Sequence, residues 1–360
     1  MNKKAVLLIL RYVSRLRGLM SIQAKFIKFH DKIKISREDS EYKDAREKDD
    51  SILKAIKSTL KDEGYPVIED FLQGSMSTAT GVKNPGKDFD IDRAIVIAFD
   101  GSPDDPIKVK EIVLKVLEDR GFKNAKIKKP CVTADYASKN LHIDIPVYRE
   151  QNGEYELAVG KKNSSEGNKE WSGSDPKGLK DWINDSSTHL GSASKKLGQY
   201  KRIVRYLKRW RDHKFSTDVA KKVFSIGLTV MAKEQFSPSL DDSDKANDLV
   251  ALRNTVNAML SGGYFSYQDN DPYKVRVYLP KSPWRDIFDG SSLNTGTQFY
   301  NKLKSLRDKL DKAIDETDLV KQCKILNQVF GNDFEVPSSS FNMKKAAYAT
   351  AGASGTSQGA

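Results

Sequence analysis

Three aspartates stand at every second position in Asp88-Phe89-Asp90-Ile91-Asp92. In an extended strand this spacing puts the three carboxylates on one face and Phe89 and Ile91 on the other, with about 6.6 Å between successive same-face positions. Carboxylates crowded in this way repel one another, so the pattern makes sense where cations neutralise them. Mg²⁺ suits such a site, because it takes a few carboxylates together with substrate phosphate oxygens. A second apolar run, Leu141-His142-Ile143-Asp144-Ile145-Pro146-Val147, points Asp144 opposite to Ile143, Ile145 and Val147. A carboxylate on an adjacent strand completes a site for two ions. One would activate an attacking hydroxyl, and the other would steady a triphosphate and its leaving pyrophosphate during in-line transfer. Upstream, Gly74-Ser75 offers a phosphate handle: glycine lets the backbone approach closely, and a serine hydroxyl with free amides at a helix start binds anionic oxygens.

Alone, each signal is weak, since most Gly-Ser pairs are ordinary turns and an Asp-x-Asp strand is more often a solvated edge or a calcium-type site. The information lies in the order: strand, Gly-Ser, a loop of about fifteen residues, Asp-x-Asp leading an apolar strand, then Asp inside another apolar strand.

The elements that must position these residues follow from periodicity. Residues 22–61 read as helical with a break near Ile35-Ser36, and Ile52, Leu53, Ile56 and Leu60 form one buried face closed by Gly64. Tyr65 to Leu72 reads as a strand, residues 79–87 as a loop, Asp88 to Phe99 as a strand, Ile107 to Arg120 as a helix and Leu141 to Tyr148 as a strand. Asn152 to Ser174, polar and glycine-bearing, reads as an exposed insertion or hairpin with a mobile tip. From Leu197 the pattern turns helical through Ile203, Val204, Leu207 and Trp210, and again in Lys302 to Ile314 and Leu319 to Phe330. Beyond Pro337 the composition falls to Ser, Ala, Gly and Thr, too little apolar surface to order a fold.

The chain has 360 residues and a net charge of +12, which favours polyanionic partners such as nucleotides, nucleic acid or an anionic membrane surface. Its two cysteines, Cys131 and Cys323, lie far apart, excluding a disulfide framework or zinc site and fitting a cytoplasmic location. Arg11, Arg15 and Arg17 interrupt the apolar stretch at the start, so no membrane span is expected. Met20 opens a second reading frame start, with residues 1–19 as an upstream extension. Tyr264, Phe265 and Tyr267 offer either a base-stacking platform or core and cleft wall, and His142 reads as a supporting polar residue. The basic runs Lys126 to Lys129 and Lys201 to Arg211 offer nucleic-acid contacts.

The order of motifs resembles the polymerase-β-like nucleotidyltransferase superfamily. QAKFIKFHDKIKI at Gln23 to Ile35, SDPKGLKDWI at Ser174 to Ile183, RYLKRW at Arg205 to Trp210, DPYKVRVYLP at Asp271 to Pro280 and NQVFGNDF at Asn327 to Phe334 are similar to its cGAS/DncV-like (CD-NTase) branch of antiviral CBASS operons. The resemblance implies an α/β fold of two lobes: a nucleotidyltransferase core of mixed sheet and helices at 20–190, a helical C-terminal lobe at 191–336 and a disordered tail at 337–360. It implies Asp90, Asp92 and Asp144 as catalytic ligands of two Mg²⁺ ions, with Mn²⁺ as a substitute; Asp88 is set aside because the apolar run Ala94 to Phe99 directly follows the other pair. Gly74 and Ser75 would bind the donor triphosphate, joined from the second lobe by Lys208 and Ser225, Lys208 having the alternative reading of a solvated helix lysine. The activity implied is synthesis of a cyclic oligonucleotide second messenger from ATP and other NTPs, acting through a downstream CBASS effector. No zinc-ribbon insertion is visible, so obligatory DNA activation is not expected. The tail would be joined through Ala360 to other molecules by an operon-encoded ubiquitin-transfer-like conjugating enzyme. Two alternatives stay open: transfer to an RNA or DNA end or to a protein, and a basic nucleic-acid-binding module with structural carboxylates.

Overall fold

The computed structural model describes residues 22–83, 89–122, 124–136, 141–187, 193–268 and 272–337. The upstream extension at 1–19, Asp88 and the tail with Ala360 lie outside the described residues.

Helix α1 (22–33) breaks before α2 (Ser40–Asp62), whose buried Ile52, Leu53, Ile56 and Leu60 are the stripe the spacing predicts. Gly64 ends α2 at φ +86°, a conformation that costs glycine little. Strand β1 (Val67–Leu72), the short helix α3 (Gly74–Ser77) and strand β2 (Phe89–Ala98) follow. Helix α4 (Pro106–Asp119) starts where the Asp105 carboxylate accepts from Ile107 N at 2.8 Å and Pro106 presets the first turn. Strands β3 (Lys126–Ile127), β4 (Val132–Tyr136), β5 (Leu141–Ile145), β6 (Val147–Gln151), β7 (Glu154–Val159) and β8 (Glu170–Ser174) complete the sheet.

β2 is the hub. It pairs antiparallel with β1 on one side and parallel with β5 and then β6 on the other. β4 and then β3 continue the sheet outward from β5, and β7 and then β8 continue it from β6. The single strand expected from Leu141 to Tyr148 is two, divided at Pro146, which has no N–H for the ladder; its carbonyl still accepts from Ile95 N at 3.1 Å, so pairing along β2 continues. Residues 152–174 take the hairpin alternative rather than the exposed insertion. β7 and β8 extend the sheet and bury Tyr155, Leu157, Ala158 and Val159, while Gly153, Gly160 and Gly167 fall outside the strands.

Ile91, Ile95 and Ile97 of β2 pack with Val109, Val113 and Leu117 of α4 and the α2 stripe in one core. Ala94 and Val96 face the other way, with Tyr148 and Leu157. Full burial of each isoleucine contributes about 1.5–3 kcal/mol, so a one-residue slip of β2 would cost several such terms. That register puts Asp90 and Asp92, of the same parity as Ala94, on the face α2 and α4 leave open.

Helices α5 (Pro176–Asn184), α6 (Ala193–Lys214), α7 (Thr217–Ala220), α8 (Ser225–Glu234) and α9 (Asp248–Ser261), the ribbon β9 (Phe265–Tyr267) with β10 (Tyr273–Val275), and helices α10 (Leu293–Asp315) and α11 (Leu319–Phe330) build the second half. The expected mixed-sheet core with a helical C-terminal region is observed. Helix α1 belongs to the helical core although it precedes the sheet in sequence: Phe29 stacks on Tyr206 of α6 with ring centroids 5.3 Å apart, and Phe26 meets Phe334 at 5.1 Å.

The basic run on α6 is not a nucleic-acid surface. Arg202 is paired with the fully buried Asp248, and Arg205, Lys208 and Arg209 are themselves buried, reaching the loop after α3. Arg205 donates to the Ala79 and Gly81 carbonyls, Lys208 to Thr80 O at 3.1 Å and Arg209 to Lys83 O at 3.1 Å. Buried cations need such partners, and here the partners fasten one lobe to the other.

Candidate active site

The parallel pairing of β2 with β5 sets Asp90 abreast of His142 and Asp92 abreast of Asp144. The Asp92 carboxyl is pushed up to about 6, by burial first and then by the charges of Asp144 and Asp90. Asp144 goes the other way: burial raises it, but the hydrogen bond from His142 and the charge of Lys128 hold it well below the usual carboxylate range. His142 Nε2 lies 3.2 Å from Asp144 Oδ1, and Lys128 Nζ lies 3.4 Å from the same oxygen. The ring is anchored on its other side, Nδ1 against Asp135, with Thr133 Oγ1 2.9 Å from Nε2. The hydrogen bond to Asp144 lifts the imidazole to about 9 against its burial, so it is a charged brace for that carboxylate, the supporting role expected of it.

Gly74, at φ +62°, lies directly against Asp92. A Cβ at this position would stand 2.0 Å from Asp92 Oδ2, and Gln73 N donates to Asp92 O at 3.0 Å. Only glycine allows both the left-handed backbone and the approach. The following turn is held from within: Thr80 N donates to Ser75 O at 2.9 Å, and Thr78 Oγ1 donates to Gly74 O at 3.2 Å.

Lys208 is no solvated lysine. Its ammonium sits 3.1 Å from both Thr80 O and Thr80 Oγ1, and burial, then the charges of Arg211 and Arg205, push it down to about 7. Ser225 heads α8 and accepts from Arg211 Nη1 at 2.7 Å. Gly74, Ser75, Asp90, Asp92, Asp144, Lys208 and Ser225 all line one cleft of about 860 Å³. Tyr264, Phe265 and Tyr267 do not: Tyr264 is buried and tied to Glu234, Phe265 packs on Phe299, and Tyr267 is on the outer ribbon. Sequence reasoning missed Lys128, Arg211 and Arg285. The first two sit inside basic runs, whose only signal was surplus charge.

Among the described residues no three carboxylate, imidazole or thiol groups converge closely enough to hold an ion as the side chains stand, because Asp144 is turned to His142 and Lys128. The donor set nevertheless fits a hard divalent cation. It is all oxygen, and Asp92 is a half-buried carboxyl with two like-charged neighbours whose repulsion such an ion would relieve.

Residues 69–148, from within β1 into β6, match the family model described as cyclic GMP-AMP synthase DncV-like, nucleotidyltransferase domain. A cyclic GMP-AMP synthase of Escherichia albertii is 26% identical over 206 residues, covering 55% of this chain and 44% of that protein. One from Vibrio cholerae serotype O1 is 24% identical over 230 residues, covering 64% and 46%. The alignment thus spans less than half the length of these two curated relatives. Among solved structures, the Bradyrhizobium diazoefficiens CD-NTase CdnG in complex with GTP gives a TM-score of 0.63 at 16% identity, covering 86% of this chain and 96% of that one. Vibrio cholerae DncV, a cyclic AMP-GMP synthase, gives 0.57 at 20% identity, covering 94% and 93%. Fold and family match together define a nucleotidyltransferase of the polymerase-β-like superfamily. Within that class residues 69–148 match the DncV-like nucleotidyltransferase domain, and the chain is similar to the cGAS/DncV-like (CD-NTase) branch.

Proposed function

We propose that this chain joins ATP, and other nucleoside triphosphates with it, into a cyclic oligonucleotide with release of pyrophosphate, as the second messenger of a bacterial CBASS anti-phage response. The observation that carries this reading is Asp92 abreast of Asp144 on parallel strands, with the Gly74 backbone pressed on Asp92, on the wall of a cleft of nucleotide size. The CdnG relative in complex with GTP and Escherichia coli CdnC in complex with ATP support the substrate class.

In this reading Asp90, Asp92 and Asp144 hold two Mg²⁺ ions, for which Mn²⁺ can substitute. Bound there, the ions supply Lewis-acid polarisation and lower the pKa of the attacking hydroxyl. The protein's own part is positioning. His142, braced by Asp135, and Lys128 fix Asp144; Gly74 and Ser75 accept the donor triphosphate; Lys208 stiffens the loop beneath it, and Ser225 approaches it from α8. The product would act on a downstream CBASS effector, with no need of DNA, and Ala360 would be the point of attachment for an operon-encoded ubiquitin-transfer-like enzyme.

The test is incubation of the purified chain with the four NTPs and MgCl₂, without nucleic acid, followed by phosphatase and mass spectrometry. A phosphatase-resistant product with the mass of a cyclic oligonucleotide is expected, absent with Asp90→Asn/Asp92→Asn. Transfer only to an added RNA, DNA or protein, or full activity in the double variant, would overturn the proposal.

A further inference from the structure

Residues 277–287 form a hairpin that runs from the helical lobe to the cleft wall. Ile287 N donates to Val277 O at 2.7 Å and Leu279 N to Arg285 O at 3.0 Å, and Tyr278 bridges to Asp286. The Asp286 carboxylate accepts from Val277 N at 3.0 Å and from Phe288 N at 2.9 Å, tying the two arms together. At the base, buried Phe288 is packed so closely on α8 that a Cβ at Gly227 would come within 2.5 Å of its ring. At the tip, Ser282 O accepts from Asp175 N at 3.1 Å, and Asp175 is the residue that caps α5 on the far side. The hairpin is therefore held at both ends, and it turns back through Trp284, which takes φ +51° and closes on Lys281 O at 2.9 Å. Such a backbone is costly for a non-glycine residue and persists only where its surroundings fix it.

What this fixed element presents to the cleft is Arg285. Among the described residues, five lysines and arginines line the cleft: Lys180, Lys208, Arg211, Lys221 and Arg285. Three are engaged by the protein itself, Lys208 by Thr80, Arg211 by Ser225 and Asp212, and Lys180 by Asp181 at 3.8 Å. Among the described residues the side chains of Lys221 and Arg285 find no hydrogen-bond or ion-pair partner. Lys221 is an exposed lysine in the turn after α7, with a long mobile stem. Arg285 differs in its mounting: a planar five-donor fork on a strapped backbone, exposed yet beside the carboxylate wall, where its charge is felt by Tyr148 along with that of Asp92. A guanidinium on a fixed backbone with none of its donors used is suited to an anionic ligand that arrives from solution, and the phosphate of a nucleotide matches its fork bidentately.

We propose that Arg285 is a substrate-binding residue that contacts a phosphate of the nucleoside triphosphate in this cleft. This rests on the nucleotidyl-transfer reading of the site, and it adds a contact from an element that neither the aspartate motif nor the Gly-Ser turn reaches.

The experiment is calorimetric titration of the wild-type chain, Arg285→Ala and Arg285→Lys with three probes in MgCl₂: the α,β-methylene analogue of ATP, adenosine, and inorganic tripolyphosphate. Arg285→Ala is expected to weaken the ATP analogue and tripolyphosphate by at least about tenfold, the loss of a charge-assisted pair, and to leave adenosine unchanged. Arg285→Lys should recover part of the loss. In steady state the KM for ATP should rise more than kcat falls, and the thermal midpoint should stay within about 1 °C of wild type, since the side chain has no internal partner. Unchanged affinity for the ATP analogue overturns the proposal. Equal weakening of adenosine also overturns it, because that result assigns Arg285 to the base or sugar. A wild-type chain that binds none of the probes and releases no pyrophosphate would instead overturn the reading of the site on which this contact depends.

Discussion

Replacing Gly74 by alanine would put a methyl group where Asp92 already stands. The added Cβ meets Asp92 Oδ2 at 2.0 Å and Cγ at 2.9 Å, far inside contact distance. Two costs can be separated. Holding a non-glycine residue at φ +62° costs about 1–2 kcal/mol of stability. Opening the contact to an ordinary van der Waals distance moves the carboxylate by more than about 1 Å, and misplacement on that scale at a reacting centre costs on the order of a hundredfold in rate. Gly64 supplies the control, because it has φ +86° and no heavy atom within 4 Å of the added Cβ. Gly64→Ala carries the backbone cost without the collision. Urea denaturation and pyrophosphate release, run on both variants, should show similar stability losses of about 1–2 kcal/mol, with turnover falling about a hundredfold only in Gly74→Ala. If Gly74→Ala turns over within about threefold of Gly64→Ala, then the close approach does not set the position of a catalytic carboxylate, and the argument built on it fails.

Arg93, next to Asp92 but on the opposite face, donates to buried Asp49 at 3.1 Å and to Asp70 at 2.9 Å. Arg93→Met should cost about 3 kcal/mol in denaturant titrations, moderated because Arg46 still reaches Asp49, and Asp49→Leu in the same chain should recover most of it; no recovery would show that the pair is not the source. Ser225→Ala should leave stability within about 0.5 kcal/mol, since Arg211 keeps Val223 O and Asp212, while the KM for ATP rises about two- to tenfold; unchanged kinetics would remove Ser225 from the substrate contacts. Burial, then the charges of Arg205 and Arg202, push His30 down to about 4 from 6.5. Between those values the unfolded chain binds the proton and the native chain does not, so stability is full above pH 6.5 and declines as pH falls toward 4, by about 1–2 kcal/mol after allowing for the ring's partial exposure. His30→Gln should lack that decline, and an equal decline in both chains would acquit the histidine.

The aspartate cluster was legible because strand alternation is local: residues 89–98 alone decide that Ile91 and Asp92 face opposite ways. The brace around Asp144 was not. It comes from Lys128, Thr133 and Asp135, carried by β3, β4 and their turn, elements too short to announce themselves by period. The stripe of α1 could be read as buried, but a stripe does not say against what, and here it packs on α6 and α11 at the far end of the chain. The α6 run misled for a related reason. Its charges read as surface because their partners, carbonyls of residues 79–83, are backbone atoms that leave no trace in the residue types.

That last arrangement bears on how this protein can vary. Arg205, Lys208 and Arg209 grip the loop through main-chain oxygens, which every amino acid possesses. The helix residues are consequently hard to exchange, whereas exposed Ala79 is free to change so long as the path is kept; Thr80, Gly81 and Val82 are packed, and Lys83 pairs with Asp39. Ala79, at φ +51°, can even be improved by glycine. Position 79, exposed beside the Gly74-Ser75 turn and clamped only by its backbone, is a natural place for drift, or for directed evolution, to try new side chains without disturbing the seam between the lobes.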